Sequence, residues 1–191
     1  MASQKIIIVF LLVLVYWGYD TVANADRKYS SESYWDEATL LDVANVPDTV
    51  LLSGNEYGSV LMFATSVNTN PSVISELLKR GSDVNEVEPM FSGTPLSAAA
   101  AKNPNPEIIN LLIKHGAKVN VTLSQGRTPL INAVINNNNK GIITALIQGG
   151  AEMDTKDELG LTAMDYAKML YKPLIEQELL KLSNNNSVTN L

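Results

Sequence analysis

Thr128-Pro129-Leu130 repeats Thr94-Pro95-Leu96 at an offset of 34, and Gly150-Ala151 repeats Gly116-Ala117 at the same offset of 34. Two separate motifs held in one phase mean stacked units, because a unit of this length cannot bury its own apolar face. The period extends both ways. Ser59-Val60-Leu61 lies 35 residues before the Thr94 motif, Gly81 lies 35 before Gly116, and Thr162-Ala163-Met164 lies 34 after the Thr128 motif. Asn85, Asn120 and Asp154 close successive units in register.

Residues 93–120 show what one unit does. Thr94 offers a hydroxyl cap to a helix whose first position, Pro95, needs no N–H. Ala98 to Ala101 is a small-residue run that lets a neighbouring helix come close. Asn103-Pro104-Asn105-Pro106 breaks that helix. Ile108, Leu111 and Leu112 then recur at helical spacing, and Gly116 supplies a left-handed C-terminal cap. The unit is a helix–turn–helix hairpin.

The pattern T-P-L-x-x-A followed by L-L-x-x-G-A-x-x-N, over roughly residues 58–182, resembles the ankyrin repeat. The resemblance implies an all-α solenoid of about four stacked helix–turn–helix repeats with short β-hairpin or loop fingers. The repeats fall at about 57–85, 90–120, 124–154 and 158–182, within a domain spanning 53–182. Two departures stand out. The family's T-P-L-H reads here S-V-L-M, T-P-L-S, T-P-L-I and T-A-M-D, so its histidine is missing throughout and the inter-repeat bonds it makes must be replaced or absent. The turn between the two helices is one residue longer than the family norm and rich in asparagine.

The flanks read differently. Residues 1–25 have the order of an export signal, with Lys5, a 14-residue apolar stretch over 6–19 and Ala23-Asn24-Ala25 as a cleavage site. That stretch is short of the ~20 residues that span a bilayer; an uncleaved anchor is the alternative. Residues 26–52 form an N-terminal segment with a capping helix over 33–45. There Ser33 and Asp36 make a capping box, and Tyr34, Ala38, Leu40 and Leu41 form the apolar face. In the last repeat Glu176, Gln177, Glu178 and Lys181 mark a wet face, and residues 183–191 read as a disordered polar tail.

Composition narrows the chemistry. A net charge of −6, with no lysine or arginine cluster, argues against a nucleic-acid partner. With no cysteine, disulfides, thiol nucleophiles and thiolate-bound zinc are excluded. The single histidine, His115, sits at a helix C-terminus ahead of Gly116 and has no second histidine to share a metal. No hydroxyl has a base at recognisable spacing, so no catalytic, cofactor or metal site is expected. The acids Glu86, Glu88, Asp157 and Glu158 read as solvated loop tips. Of two glycosylation sequons, Asn120-Val121-Thr122 and Asn185-Asn186-Ser187, the first falls on the repeat's own asparagine.

The resemblance implies a concave protein-binding surface built from fingers and inner helices, with fingers at 85–92, 121–125 and 155–159. The first holds Val87, Met90 and Phe91 beside Glu86 and Glu88, an apolar centre with a charged rim. Leu123 and Gln125 on the second, and Asp157, Glu158 and Leu159 on the third, extend it. Phe63, Asn132 and Tyr166 fall at equivalent points of the first helices. Met90 and Phe91 folded back onto neighbouring repeats is the competing reading. The expected function is that of an exported, non-catalytic module, periplasmic or secreted from a bacterium, monomeric and not inserted in a membrane once the signal is cut. Its partner is another protein. The alternative is an accessory subunit that stabilises or inhibits one exported enzyme.

Overall fold

The computed structural model describes residues 28–29, 31–52, 59–88 and 93–188; residues 1–25, on which the export reading rests, lie outside them, as do Met90 and Phe91. Each full unit opens on a hydroxyl side chain. Ser59, Thr94, Thr128 and Thr162 accept from the backbone N–H of Met62, Ser97, Ile131 and Asp165. Behind these caps run α4 (Val60–Val67), α6 (Pro95–Lys102), α8 (Pro129–Asn136) and α10 (Ala163–Met169). Asparagines start the second helices of the first three full units. Asn70, Asn105 and Asn139 each accept from the N–H two residues on, opening α5 (Pro71–Lys79), α7 (Pro106–Lys114) and α9 (Lys140–Gln148). Gly81, Gly116 and Gly150 follow with φ of 99°, 89° and 97°, the left-handed turn that an L side chain resists.

Two layers result. An inner layer of α4, α6, α8 and α10 packs in sequence order, and an outer layer of α5, α7, α9 and α11 (Pro173–Val188) packs beside it. Ala64, Ala99, Ala133 and Ala167 occupy one register position and are all fully buried, which lets successive inner helices approach. Ile74 and Leu77, then Ile108 and Leu112, then Ile142 and Leu146 fill the space between the layers and are likewise inaccessible. At ~1.5–3 kcal/mol for each large side chain removed from water, this continuous core dominates the stability.

Asparagine, in place of the missing histidine, supplies bonds from unit to unit. Asn103 is fully buried, and its Nδ2 donates to the carbonyls of Thr65 and Asn68 at 2.9 Å each. Asn68 reaches back in the same way to Trp35 and Ala38, and Asn137 to Ala100 and Asn103. Each of the three also accepts, through Oδ1, from the N–H two residues on. The lengthened turn is therefore a buried polar ladder with its capacity used, the condition under which a polar core rigidifies a fold. In the fourth unit Lys172 closes it, its Nζ donating to the carbonyls of Val134, Ile135 and Asn137. Burial holds the Lys172 ammonium below its ordinary pKa. A second ladder runs at the finger bases. Asn85 bridges the Gly116 carbonyl and the Lys118 N–H, and Asn120 bridges Gly150 and Glu152 in the same way.

Three expectations need correction. The N-terminal cap is not one helix over 33–45 but three short ones, α1 (Glu32–Asp36), α2 (Leu40–Ala44) and α3 (Asp48–Leu52). Ser31, not Ser33, caps α1, and a capping box between Thr39 and Asp42 restarts the chain as α2. Because α1 packs on α4 and α2 on α5, the segment behaves as a truncated repeat. Its core is Trp35 and Val43, fully buried, whereas Leu40 and Leu41 face water. Arg80 ties α5 to it through the carbonyls of Val43 and Val46 and the carboxylate of Asp48.

At the other end, α11 continues to Val188, past the 182 boundary, since each added residue of an existing helix gains a backbone bond without paying for a new nucleus. Glu178 leaves the wet face. It is buried and accepts from Thr144 and Lys181, which hold its carboxyl below the usual range. The fingers take the loop form of the two expected, for among the described residues there is no strand. Each finger is closed by a backbone bond, Glu88 N–H to Gly93, Leu123 N–H to Arg127 and Asp157 N–H to Leu161.

Candidate partner-binding face

The fingers stand at one edge of the inner layer, and they are not equivalent. In the third, Asp157 accepts from the N–H groups of Leu159 and Leu161 and from the Tyr166 hydroxyl at 2.6 Å. The Tyr166 bond is the main reason its carboxyl lies below the ordinary range, and the same bond pushes the Tyr166 hydroxyl up. Arg127 covers the Tyr166 ring, 5.6 Å from its centroid. This cluster locks the second finger to the third. The Glu158 N–H donates to the Gln125 carbonyl at 3.1 Å, and Gly126 lies so close that a Cβ there would meet Glu158 N at 2.8 Å. Gln125 turns the chain with φ of 65° and remains exposed.

The residues expected at a partner surface therefore divide. Val87 and Leu159 are exposed at 54% and 74%, large apolar groups beside the closing bond of the first finger and at the tip of the third. Glu158 is exposed beside Leu159, and Glu86 is half-buried beside Val87. Burial pushes the Glu86 carboxyl up, with a hydrogen bond from Ser59 opposing it. Phe63 is half-buried against the core, and Asn132 is also half-buried. Leu123, Glu88, Asp157 and Tyr166 are buried. Leu123 thus seats its finger rather than extending an exposed stripe, and Asp157 and Glu88 are not solvated tips. Glu88, Leu123 and Asp157 share the register position whose N–H closes each finger, and all three are buried there.

Two participants were missed from the sequence. Arg127 was not singled out, although it follows a finger and precedes a cap. Glu32 of α1 reaches over the inner layer to the Ser66 hydroxyl and the Lys102 ammonium, 34 and 70 residues away. No spacing rule links residues so distant. His115, by contrast, sits as read, exposed at the end of α7 with Nδ1 against the Leu111 carbonyl at 2.9 Å. Asn120 uses both ends of its amide in the finger-base ladder, so its sequon match is structural in origin. The face has exposed apolar side chains, carboxylates beside them and firm support from the third finger.

Comparison with known proteins bears on the repeats. The family model for ankyrin repeats (3 copies) matches residues 61–157, just over half of the 191 residues. No curated protein matches the chain.

Proposed function

The chain belongs to the ankyrin-repeat family, whose repeats are generally protein–protein interaction modules, and from that premise we propose that it is an exported binding module that acts through its fingers and inner helices. The observation that carries the reading is the pair Val87 and Leu159. In an array that buries its other finger leucine, Leu123, two large apolar side chains are held in water, Val87 at the base of the first finger and Leu159 at the tip of the third, each next to a glutamate. Apolar side chains held in water with carboxylates beside them have the composition of a partner site, an apolar centre with a polar rim. The partner best suited to Glu86 and Glu158 has a basic margin around an apolar centre. Support for export is the order of charge, apolar stretch and small-residue site over residues 1–25. Among the described residues no helix is long and apolar enough to cross a membrane.

The test is capture of a partner from the native compartment with the wild-type chain and with Val87→Lys plus Leu159→Lys. The double variant should lose the partner while its melting temperature stays within a few degrees, since neither side chain belongs to the core. Capture that survives the substitution would retire this face. A single stoichiometric enzyme as the captured partner would identify the module as an accessory subunit.

A further inference from the structure

A second surface lies on the opposite edge, where each inner helix passes to its outer helix. In the first three full units that turn is polar, Asn68-Thr69-Asn70, Asn103-Pro104-Asn105 and Asn137-Asn138-Asn139. The fourth writes Met169-Leu170-Tyr171-Lys172-Pro173-Leu174 there. Met169, Tyr171 and Leu174 are exposed at 54%, 90% and 65%. Tyr171 stands at the ladder asparagine's register position, with φ of 52°. The left-handed region is tolerated by asparagine and is strained for a bulky side chain. Tyr171 helps to line an open surface pocket of about 220 Å³, with Asn138, Lys172, Pro173, Leu174 and Ile175. Nearby, Lys168 is exposed at the register position where Thr65, Ala100 and Val134 are fully buried. The corner is apolar, carries an exposed lysine and is uncovered.

The other end of the same chain offers the complement. At the start of α2, Leu40 and Leu41 are exposed, Leu41 at 73%, and Asp36 and Glu37 just before them are exposed acids. We propose that the C-terminal corner docks the N-terminal truncated repeat of a second copy, with Leu41 entering the pocket beside Tyr171 and Leu174, so that copies associate head to tail. Charge decides the geometry. Pairing two C-terminal corners face to face would set Lys168 near its own copy, whereas pairing the two ends brings Lys168 to Asp36 and Glu37. A lipid surface would accept the apolar turn but has no use for a pocket of side-chain size. Because the contact is heterologous, it leaves a free patch at each end and does not close with two copies. This association departs from the monomer expected of the sequence and is independent of the finger face.

Sedimentation velocity of the full chain across a concentration series tests it. Mass should grow with concentration beyond the dimer. Leu41→Asp and Leu174→Asp should each weaken association at least tenfold. An equimolar mixture of those two variants should recover dimers and nothing larger, since each retains one intact patch and the pair makes only one contact. Tyr171→Asn restores the register residue, so it should keep or raise the melting temperature and still weaken association; it decides the matter if Leu174→Asp fails to fold. A chain monomeric at hundreds of micromolar overturns the proposal. So does association lost with Leu174→Asp but untouched by Leu41→Asp, which would mean two corners face to face. Binding to anionic phosphatidylglycerol vesicles without self-association overturns it in favour of a membrane. Association that survives every substitution, as it would through the apolar stretch at 6–19, overturns it as well.

Discussion

The second and fourth full units follow one register and reach different ends. In the second, Leu96, Ile108 and Leu112 are fully buried, Asn103 completes the ladder on both sides, and inner helices flank α6 in both directions. The fourth has a neighbour on one side only. There the asparagine gives way to Tyr171 and Lys172, and Leu170, Leu174 and Leu180 are exposed. The difference shows that the fold is specified by what each unit presents to the next. Residues shared by all units make the hairpin, while the ladder and the buried alanines make the array.

Substitutions in the two units should separate those contributions. Leu112→Ala, in the second, should cost about 2–5 kcal/mol by chemical denaturation, and Leu174→Ala, in the fourth, almost nothing. Equal losses would mean the terminal unit is as well covered as the central one. Asn103→Ala should cost about 1–3 kcal/mol for each buried carbonyl left without a donor, those of Thr65 and Asn68. Lys172→Ala, with an ammonium nearer to water, should cost less; the reverse order would break the comparison. Tyr171→Asn is the substitution expected to stabilise, by up to about 1–2 kcal/mol, as left-handed strain is relieved. A drop in melting temperature would show that the ring packs on the fold.

The smallest effect concerns acid. Asp157 is held below the usual carboxylate range by the Tyr166 hydroxyl and by backbone N–H groups. A depressed folded value contributes stability that is present above the unfolded pKa, about 4, and is lost as pH falls through the folded value. The stability gap between the wild-type chain and Asp157→Asn should therefore narrow below about pH 4. A gap independent of pH would mean that the bond to Tyr166 does not depend on the charge.

Much of this architecture was legible in the residues. Thr94-Pro95 and Gly116 act locally, one as hydroxyl cap and N1 proline, the other as left-handed turn, so their meaning survives without a structure. The repeated asparagines were visible too, but as turn formers, because the carbonyls they reach lie some 30 residues away or more. The apolar spacing of Leu40 and Leu41 suits one continuous helix, whereas Thr39 and Asp42 start a new one and leave Trp35 as the buried residue. At the fingers, tip residues were legible as tips, but cover was not. Leu123 is buried with Glu88 and Asp157 at the closing position of each finger, whereas Leu159 is exposed with Gln125 two residues on, a difference of register and not of residue type.

Amide hydrogen exchange on the full chain, free and bound to the partner recovered from its native compartment, bears most directly on the recognition face. Partner binding through the fingers and inner helices predicts added protection at residues 86–88 and 158–159 and along α6 and α8, with α5, α7 and α9 unchanged. Protection confined to the outer helices, with the fingers exchanging as in the free chain, would contradict it.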